Sequence, residues 1–325
     1  MPAIDPEYLT GVAFLYRTVE EAKAHARIGG TALPFGMIVQ PGDTKETTFY
    51  ALYLVSNAHV VFGASACVAR LNRKDGGPPD IFNIDQNAWI SVPGHDLAIA
   101  PFGDARSESG VLPSRDLHDF IFCGENQVLT KEQIEAHQID IGDEVFMIGR
   151  FMNMQGKDRN QSAARFGSIS MMLESLRNRY LRADQLGYSV EMRSRTGFSG
   201  SPVFTYGNAF TTIKPRKLPN FFGLLGINWG YVNDPDADPG EENTWLNGVV
   251  PGWAILDAFK TVPKLVTMQA MATEQFKAEQ AQNAGEASLT GAAKSAPPSK
   301  EVPDSDKDRF TALLDGAVGK PKQGG

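Results

Sequence analysis

The chain has 325 residues, a formal net charge of −7 and a pI near 5.3, and without a compensating basic face this charge argues against nucleic acid as the main partner. Its length allows two modest domains, and 32 glycines with 20 prolines are typical of a turn-rich β protein. No apolar run is long enough to cross a bilayer.

The N-terminus and the cysteines indicate a cellular compartment. Residues 1–7 lack the basic segment and apolar core of a secretory leader, so we expect a soluble cytoplasmic protein. Cys67 and Cys123 are isolated in the sequence, which suits a reducing compartment and predicts free buried thiols. The sequence supports no metal site and implies no cofactor.

The first third of the chain reads as a series of strands. We expect an opening strand over 8–17, a loop or short helical turn over 18–25, and a strand over 32–39 that pairs with the one ending at His59. Turn-forming residues follow at 74–79, and 81–92 alternates well enough to predict further strands.

Two side chains in this part are candidates for general-base chemistry. His59 ends a β-branched and aromatic run that starts at Phe49, and Asp96 leads into the apolar strand Leu97 to Ala100. His95 is the alternative base. We disfavour it because it lies beside the required aspartate and lacks the strand-ending context.

The second part begins after a connection over roughly 106–137. Within it, Thr130 and Gln133 predict a capped helix over 131–137. Strands are expected over 139–149, 164–170 and 188–192, and the last of these leads into a glycine-flanked serine turn.

This turn is Gly197-x-Ser199-Gly200-x-Pro202, just before an apolar strand. Without a side chain at Gly197, the backbone can approach a bound carbonyl, and the N–H groups of Gly197 and Ser199 can point at one spot as an oxyanion hole. A serine hydroxyl is a weak nucleophile, so this hypothesis requires His59 and Asp96 as base and orienting carboxylate.

The order His59, Asp96, Ser199 is that of chymotrypsin-like enzymes. The 56–59 segment, Ser-Asn-Ala-His, resembles the Thr-Ala-Ala-His of the trypsin/chymotrypsin-fold serine peptidases, and 197–202 resembles their Gly-Asp-Ser-Gly-Gly-Pro. The resemblance covers about 8–260. It is nearest to the disulfide-free bacterial branch, the high-temperature-requirement and glutamyl-endopeptidase types, without the peptide-binding PDZ domain that often follows.

The resemblance implies substrate-binding residues beyond the triad. The 222–230 segment is similar to the family strand that lines the primary specificity pocket and pairs with extended substrate. Asn228 then stands where a serine commonly supports the triad aspartate, Trp229 would back the substrate, and Gly230 would leave its backbone groups open. Gly248 lies on the next pocket strand, and 252–259 resembles the closing helix.

The residues that would set specificity leave alternatives open. Arg193 stands at the family's pocket-floor position and would favour acidic substrates if it points inward, but a shift of one residue would put Ser194 there. The loop 233–242, rich in aspartate and glutamate, would instead attract basic substrates. Three prolines disfavour calcium binding by this loop, and a solvated acidic rim is the preferred interpretation.

The last segment changes character. Apolar residues from Leu265 to Phe276 have helical spacing, and 280–306 is a predicted linker rich in Ala, Ser, Pro and charge. Near its end Phe310, Leu313 and Leu314 share one helical face within 307–318, which predicts either a disordered tail or a short segment that docks on a protein partner or on the chain itself.

These observations predict an all-β protein of two antiparallel Greek-key β-barrels, chymotrypsin-like, with a C-terminal helix and a largely disordered tail. The expected divisions are 8–125 with His59 and Asp96, 126–262 with Ser199, and 263–325.

The expected function is a serine endopeptidase acting on proteins or peptides. In the zymogen types of the family that the chain resembles, the N-terminus freed by cleavage pairs with an acidic residue just before the nucleophile. Phe198 stands at that position and cannot form an ion pair, so we expect activity without N-terminal cleavage. The alternatives are a catalytically silent peptide-binding scaffold and an effector protease activated by a partner.

Overall fold

The architecture comes from a computed structural model that describes residues 4–44, 47–193, 196–207, 218, 220–233 and 243–290, without the side chains at 153, 233, 243–245 and 283–290. The predictions for Ser194, for the acidic loop at 234–242 and for the tail segment 307–318 lie outside the described residues.

The first sheet is built from eight strands of the N-terminal part. They are β1 (Ala13–Tyr16), β2 (Gly30–Gln40), β3 (Phe49–Ser56), β4 (Val68–Leu71), β5 (Asp80–Asn83), β6 (Ile90–Ser91), β7 (Ala98–Pro101) and β8 (Cys123–Gly124). Their hydrogen-bonded order is β5-β4-β1-β2-β3-β7-β6, and β8 adds a short parallel pair to β2. The path begins and ends on β5 and β6, which follow each other in the chain, so the sheet curls back on itself.

The second sheet is a closed antiparallel barrel. Its strands are β9 (Glu144–Arg150), β10 (Ser162–Asn178), β11 (Ala183–Glu191), β12 (Pro202–Gly207), β13 (Phe221–Asn233) and β14 (Asn243–Pro251). The barrel order is β10-β11-β14-β13-β12-β9, and β9 pairs with β10 to close it. Strand β10 pairs with β9 through its first half and with β11 through its second half, so the far end of the β10–β11 hairpin extends beyond the barrel.

The opening strand predicted over 8–17 is wrong in its first half. Pro6–Thr10 forms a 3-10 helix because Asp5 caps it, accepting a hydrogen bond from the Glu7 N–H at 2.9 Å, and a proline stands at its start. This turn packs Tyr8 into the second barrel, where its ring lies 5.9 Å from Phe146. The N-terminal segment therefore joins the two sheets through one aromatic core.

Four α-helices lie outside the sheets within the described residues: α1 (Val19–Lys23), α2 (Lys131–Ala136), α3 (Trp253–Thr261) and α4 (Pro263–Thr290). The capped helix predicted from Thr130 and Gln133 is confirmed, with both reciprocal capping bonds present. The linker predicted from residue 280 is wrong over 280–290, because α4 continues through it. Helix-forming Ala, Gln and Glu outweigh the linker-like composition there.

Together these elements confirm the all-β prediction. The molecule consists of two curled antiparallel sheets with few helices, the chymotrypsin-like double-barrel arrangement. Both predicted free cysteines are buried thiols. None of the helices described is long and apolar enough to cross a membrane.

Candidate active site

His59 lies at the end of β3, in the first turn after the strand. The segment His59–Gly63 forms a π-turn in which the Ala64 N–H donates to the His59 carbonyl at 2.9 Å. Such turns occur often at functional sites, because the extra residue re-aims a side chain. Here the turn leaves the His59 ring facing the gap between the two sheets, with 14% of the side chain exposed.

Asp96 and His59 are held together by two hydrogen bonds. His59 Nδ1 lies 2.6 Å from Asp96 Oδ2, and the His59 backbone N–H donates to Oδ1 at 3.0 Å. Asp96 is fully buried, and its own backbone is held by Gln185 Oε1, which accepts its N–H at 2.9 Å, and by Asn57, which donates to its carbonyl at 2.9 Å. The carboxylate is therefore fixed and fixes the imidazole in turn.

Asn178 is a neighbour of Asp96 that the sequence analysis missed. It is fully buried at the end of β10, and its Nδ2 lies 3.4 Å from Asp96 Oδ2. Its Oδ1 accepts the backbone N–H groups of Tyr180 at 2.8 Å and Leu181 at 3.2 Å. No local pattern marks this residue, because only the extension of the β10–β11 hairpin brings it to Asp96.

The predicted support of Asp96 by Asn228 is wrong. The Asn228 amide donates to the Phe198 carbonyl at 2.9 Å, and its oxygen accepts the Gly230 N–H at 3.3 Å. An asparagine reaches farther than a serine, and both ends of this amide are taken by the backbone on either side of it. Asn228 therefore holds the serine turn to β13, while Asn178 lies beside Asp96.

The serine turn needs glycine at two positions. Gly197 has φ +105° and Gly200 has φ +85°, both in the left-handed region. A Cβ at Gly197 would lie 2.5 Å from the Arg150 carbonyl oxygen, and one at Gly200 would overlap the Thr31 carbonyl. The turn is packed against Thr31, whose N–H donates to the Ser199 carbonyl at 2.9 Å and whose hydroxyl donates to the Gly197 carbonyl at 2.8 Å.

The N–H groups of Gly197 and Ser199 are the two backbone donors that the oxyanion-hole hypothesis requires. Within the described part of the chain, no acceptor takes a hydrogen bond from either group. The hydrogen bonds described above, from Thr31 and Asn228, go instead to carbonyl groups of the turn. These two donors are therefore the ones available to an oxyanion.

Ser199 and His59 are not hydrogen-bonded to each other in the described residues. The Ser199 hydroxyl donates instead to the Trp229 carbonyl at a long 3.4 Å. The imidazole of His59 carries on one face the ring of Tyr180, with centroids 3.6 Å apart and planes at 5°. The hydroxyl must therefore turn away from Trp229 before it can reach the imidazole.

Arg150 is a buried residue whose backbone lies next to Gly197 of the serine turn. It is fully buried, and its guanidinium donates to the carbonyls of Leu15 and Ile28, each at 2.7 Å, and lies 3.9 Å from the ring of Tyr16. Burial lowers the pKa of Arg150 to about 10, which leaves it charged at neutral pH. Its backbone N–H donates to Thr31 Oγ1 at 3.0 Å.

The expected primary pocket does not have the shape that the sequence suggested. Trp229 is 1% exposed, and its indole fills the space next to Gly187 and Gly248, where a Cβ on either glycine would meet the ring. Trp229 therefore belongs to the barrel core, and the prediction that it backs the substrate is wrong. Gly230, at φ +114°, remains on the open side beside Ser199.

Arg193 and His95 are the other sequence candidates among the residues that the structure describes. Arg193 is exposed, so the guanidinium does not form a buried floor and the expected preference for acidic substrates has no support. His95, the alternative base, packs edge-on to Trp253 with ring centroids 6.3 Å apart, whereas it is His59 that is hydrogen-bonded to the Asp96 carboxylate. Among the residues described, no group of His, Cys, Asp and Glu has the arrangement of a metal site.

Comparisons with known proteins give a fold-level likeness. No family model matches the chain, and no curated protein matches it significantly. Among solved structures, it is similar to the MamO protease domain from Magnetospirillum magneticum in its apo form, with 14% identity, TM-score 0.46, and coverage of 78% of this chain and 97% of that one.

Two further solved structures are similar to the chain. A serine-to-alanine variant of the HtrA-type protease AlgW with a tripeptide has 17% identity and TM-score 0.43, and the match covers 78% of this chain and 60% of that one. An inactive serine-to-alanine mutant of Rv3671c from M. tuberculosis has 15% identity and TM-score 0.39, covering 82% and 97%.

Proposed function

We propose that this chain is a serine endopeptidase in which Ser199 is the nucleophile, His59 the general base and Asp96 the group that orients the imidazole. The observation that carries the proposal is the pair of hydrogen bonds from His59 to the buried Asp96 carboxylate, together with a serine in a glycine turn whose Gly197 and Ser199 N–H groups donate to no acceptor among the described residues. This is the set of groups that acyl transfer requires.

The chemistry follows from these groups. Ser199 Oγ turns from the Trp229 carbonyl toward His59 Nε2 and attacks the peptide carbonyl while the imidazole takes its proton. The N–H groups of Gly197 and Ser199 receive the developing oxyanion, a contribution of roughly 3 kcal/mol per donor in enzymes of this kind. His59 then gives the proton to the leaving amine. Water releases the acyl group by the same steps in reverse.

Two further parts of the proposal concern organisation. The divisions at 8–125, 126–262 and 263–325 are supported by the two separate sheets, since β1–β8 and β9–β14 fall on either side of 125. Activity without N-terminal cleavage is supported by Phe198, the residue before Ser199. An N-terminus freed by cleavage would need an acidic partner at this position, and a fully buried phenylalanine cannot be that partner.

A second candidate function is a peptide-binding scaffold or a protease that a partner activates. The specific observation in its favour is the Ser199 hydroxyl, which donates to Trp229 rather than to His59. A chain that never leaves this arrangement would bind peptides along β13 without cleaving them. A chain that leaves it only with a partner would be a triggered protease.

A fluorophosphonate probe tests the choice, because it reacts with a serine only when a base and an oxyanion hole activate the hydroxyl. We expect labelling of the purified protein that is lost in Ser199→Ala and kept in Ser201→Ala, a matched change at the fully buried neighbouring serine. Folded protein that takes no label and hydrolyses no peptide would favour the scaffold. Labelling that appears only after lysate is added would favour the triggered protease.

A further inference from the structure

The ring of Tyr180 covers one face of the His59 imidazole. The two rings are nearly parallel, at 5°, with centroids 3.6 Å apart, so they are in direct contact. Nothing else can lie on that face while Tyr180 is in place. A residue in this position lies within the working space of the proposed active site.

Tyr180 also reaches across toward the strand that is expected to pair with substrate. A Cβ placed on Gly230 would lie 4.0 Å from the Tyr180 hydroxyl and 3.9 Å from Ser199 Oγ. The phenol therefore runs from the imidazole to the edge of β13 next to the serine. An extended peptide bound along Gly230 with its carbonyl at Ser199 would have to pass through the same space.

The backbone beneath Tyr180 is anchored by a buried residue, whereas its ring is held, apart from the stack on His59, by the exposed Arg179, whose guanidinium carbon lies 4.7 Å from the ring centroid. Asn178 accepts the N–H groups of Tyr180 and Leu181, and its buried amide lies against Asp96. The phenol oxygen, by contrast, accepts one hydrogen bond from the exposed Arg179 at 2.7 Å, and the side chain is 38% exposed. The ring can therefore rotate toward solvent without unfolding the hairpin.

The space beside the rings is apolar. A cleft of about 520 Å³ adjoins His59 and is lined by Ala58, Phe62, Ala64 and Leu181 as well as by Tyr180. The Asp96 carboxylate behind it is already engaged by His59. A charged side chain entering this cleft would lose its water without gaining a partner, whereas an apolar one would be accepted.

Resting on the proposed function, we propose that Tyr180 occupies the subsite in which a substrate side chain next to the scissile bond packs on His59, and that this subsite takes an aromatic or large aliphatic residue. The substrate side chain displaces the phenol and replaces its contact with the imidazole. Every productive peptide has to displace Tyr180, so the ring lowers the activity of the resting protein. Because an aromatic ring already fits the subsite, substrate side chains of similar size and polarity should fit it as well.

Matched peptides test the preference and the displacement together. Starting from a peptide that the protein cleaves, Phe, Gly or Asp is placed at each of the three positions before the scissile bond. We expect one position at which kcat/KM for Phe exceeds that for Asp at least tenfold. Tyr180→Ala should raise kcat/KM about tenfold for the whole series and keep this ratio, because the displaced contact is common to all peptides and is the size of one aromatic stack.

Tyr180→Phe keeps the ring on His59 and loses only the hydrogen bond from Arg179, so its kcat/KM should rise less than that of Tyr180→Ala. Arg177→Ala, at an exposed position of the same hairpin, is the control that should leave kcat/KM unchanged. Two results would overturn the proposal: equal rates for Phe and Asp at all three positions, or a Tyr180→Ala protein no faster than the unmodified one. Either result, obtained with a protein that cleaves peptides, leaves the proposed function standing.

Two readouts without turnover separate this proposal from the proposed function. Carbethoxylation of His59 by diethyl pyrocarbonate, followed by mass spectrometry, should be several-fold faster in Tyr180→Ala, with His137 as the internal reference. Peptide binding to Ser199→Ala, measured by fluorescence anisotropy, should show the same tenfold preference for Phe over Asp. If neither the unmodified protein nor Tyr180→Ala cleaves peptides, but His59 reacts faster in Tyr180→Ala and the Phe peptide binds preferentially, the proposed function is wrong and the proposed subsite is supported. If neither of these two effects is seen, the proposed subsite is wrong.

Discussion

Asp96 accepts two hydrogen bonds from His59, one from the ring at 2.6 Å and one from the backbone at 3.0 Å. The same carboxylate therefore fixes both the position of the residue and the orientation of its imidazole. Because Asp96 is fully buried, water does not compete for these bonds.

Asp96→Asn should lower kcat by about 10⁴-fold, because an amide presents an N–H to the imidazole and selects the tautomer that cannot accept the serine proton. Peptide hydrolysis at constant pH measures the effect, with circular dichroism as a check on folding. The matched control is Asp104→Asn, at an exposed position, which should retain full activity. A loss of less than tenfold in a folded Asp96→Asn protein would contradict the assigned role of Asp96.

Asn178 should act as a positioning residue, and two substitutions separate its roles. Asn178→Asp keeps the acceptor for the hairpin N–H groups but adds a second carboxylate next to Asp96, so the acid limb of the pH–rate profile should move to higher pH. Asn178→Ala loses both contacts, and we expect kcat to fall about tenfold, the effect of one hydrogen bond to a charged group. A profile unchanged in Asn178→Asp would leave Asn178 with a structural role only.

Arg150→Met should lower the free energy of unfolding by about 2–4 kcal/mol. The methionine fills much of the volume but leaves the buried carbonyls of Leu15 and Ile28 without donors. Urea denaturation measures the change. Arg159→Ala is the control, since it removes a partly exposed ion pair with Asp119 and should cost under ~1 kcal/mol. Equal losses in the two variants would show that the buried bonds of Arg150 are not special.

Stability should fall in acid partly through His95. Burial lowers the pKa of His95 below its usual value of about 6.5, so the folded state favours the neutral ring. As the pH drops below 6.5, the unfolded chain binds a proton that the folded chain resists, and the free energy of unfolding decreases. His95→Gln should therefore lose less stability than the unmodified protein between pH 7.5 and 5.5. Parallel curves for the two proteins would refute this.

Helix α4 should stabilise the first sheet. Leu265 is fully buried, Phe276 packs on Phe49 with ring centroids 4.6 Å apart, and Gln269 accepts the Tyr53 hydroxyl at 2.9 Å. A chain ending at residue 262 should therefore unfold at lower temperature than one ending at 290, by several degrees, because these contacts are lost. Calorimetry of the two truncations measures it, and equal melting temperatures would contradict the packing role.

The features that could be predicted from sequence are those that local chemistry dictates. A strand run starting at Phe49, glycines in the serine turn and the Thr130–Gln133 cap each depend on residues a few positions apart, and the structure has all three, although the strand ends at Ser56 and His59 lies in the turn that follows. The two-sheet fold was implied by the family resemblance of the segments around His59, Asp96 and Ser199. The helix over 280–290 was missed because its composition resembles a linker and only its propensity favours a helix.

The features that could not be predicted come from contacts across large distances in the chain. Asn178 meets Asp96 over 82 positions and Gln185 meets it over 89, and both depend on how far one hairpin extends beyond its barrel. Trp229 becomes core because two glycines on neighbouring strands leave room for its indole. Strand patterns specify which face a side chain takes, but the neighbour it meets there depends on register and on the length of a different element. The candidate reactive groups His59, Asp96 and Ser199 could thus be proposed from the amino acids alone, while the residues that support them and the Tyr180 ring that covers the imidazole were set by packing.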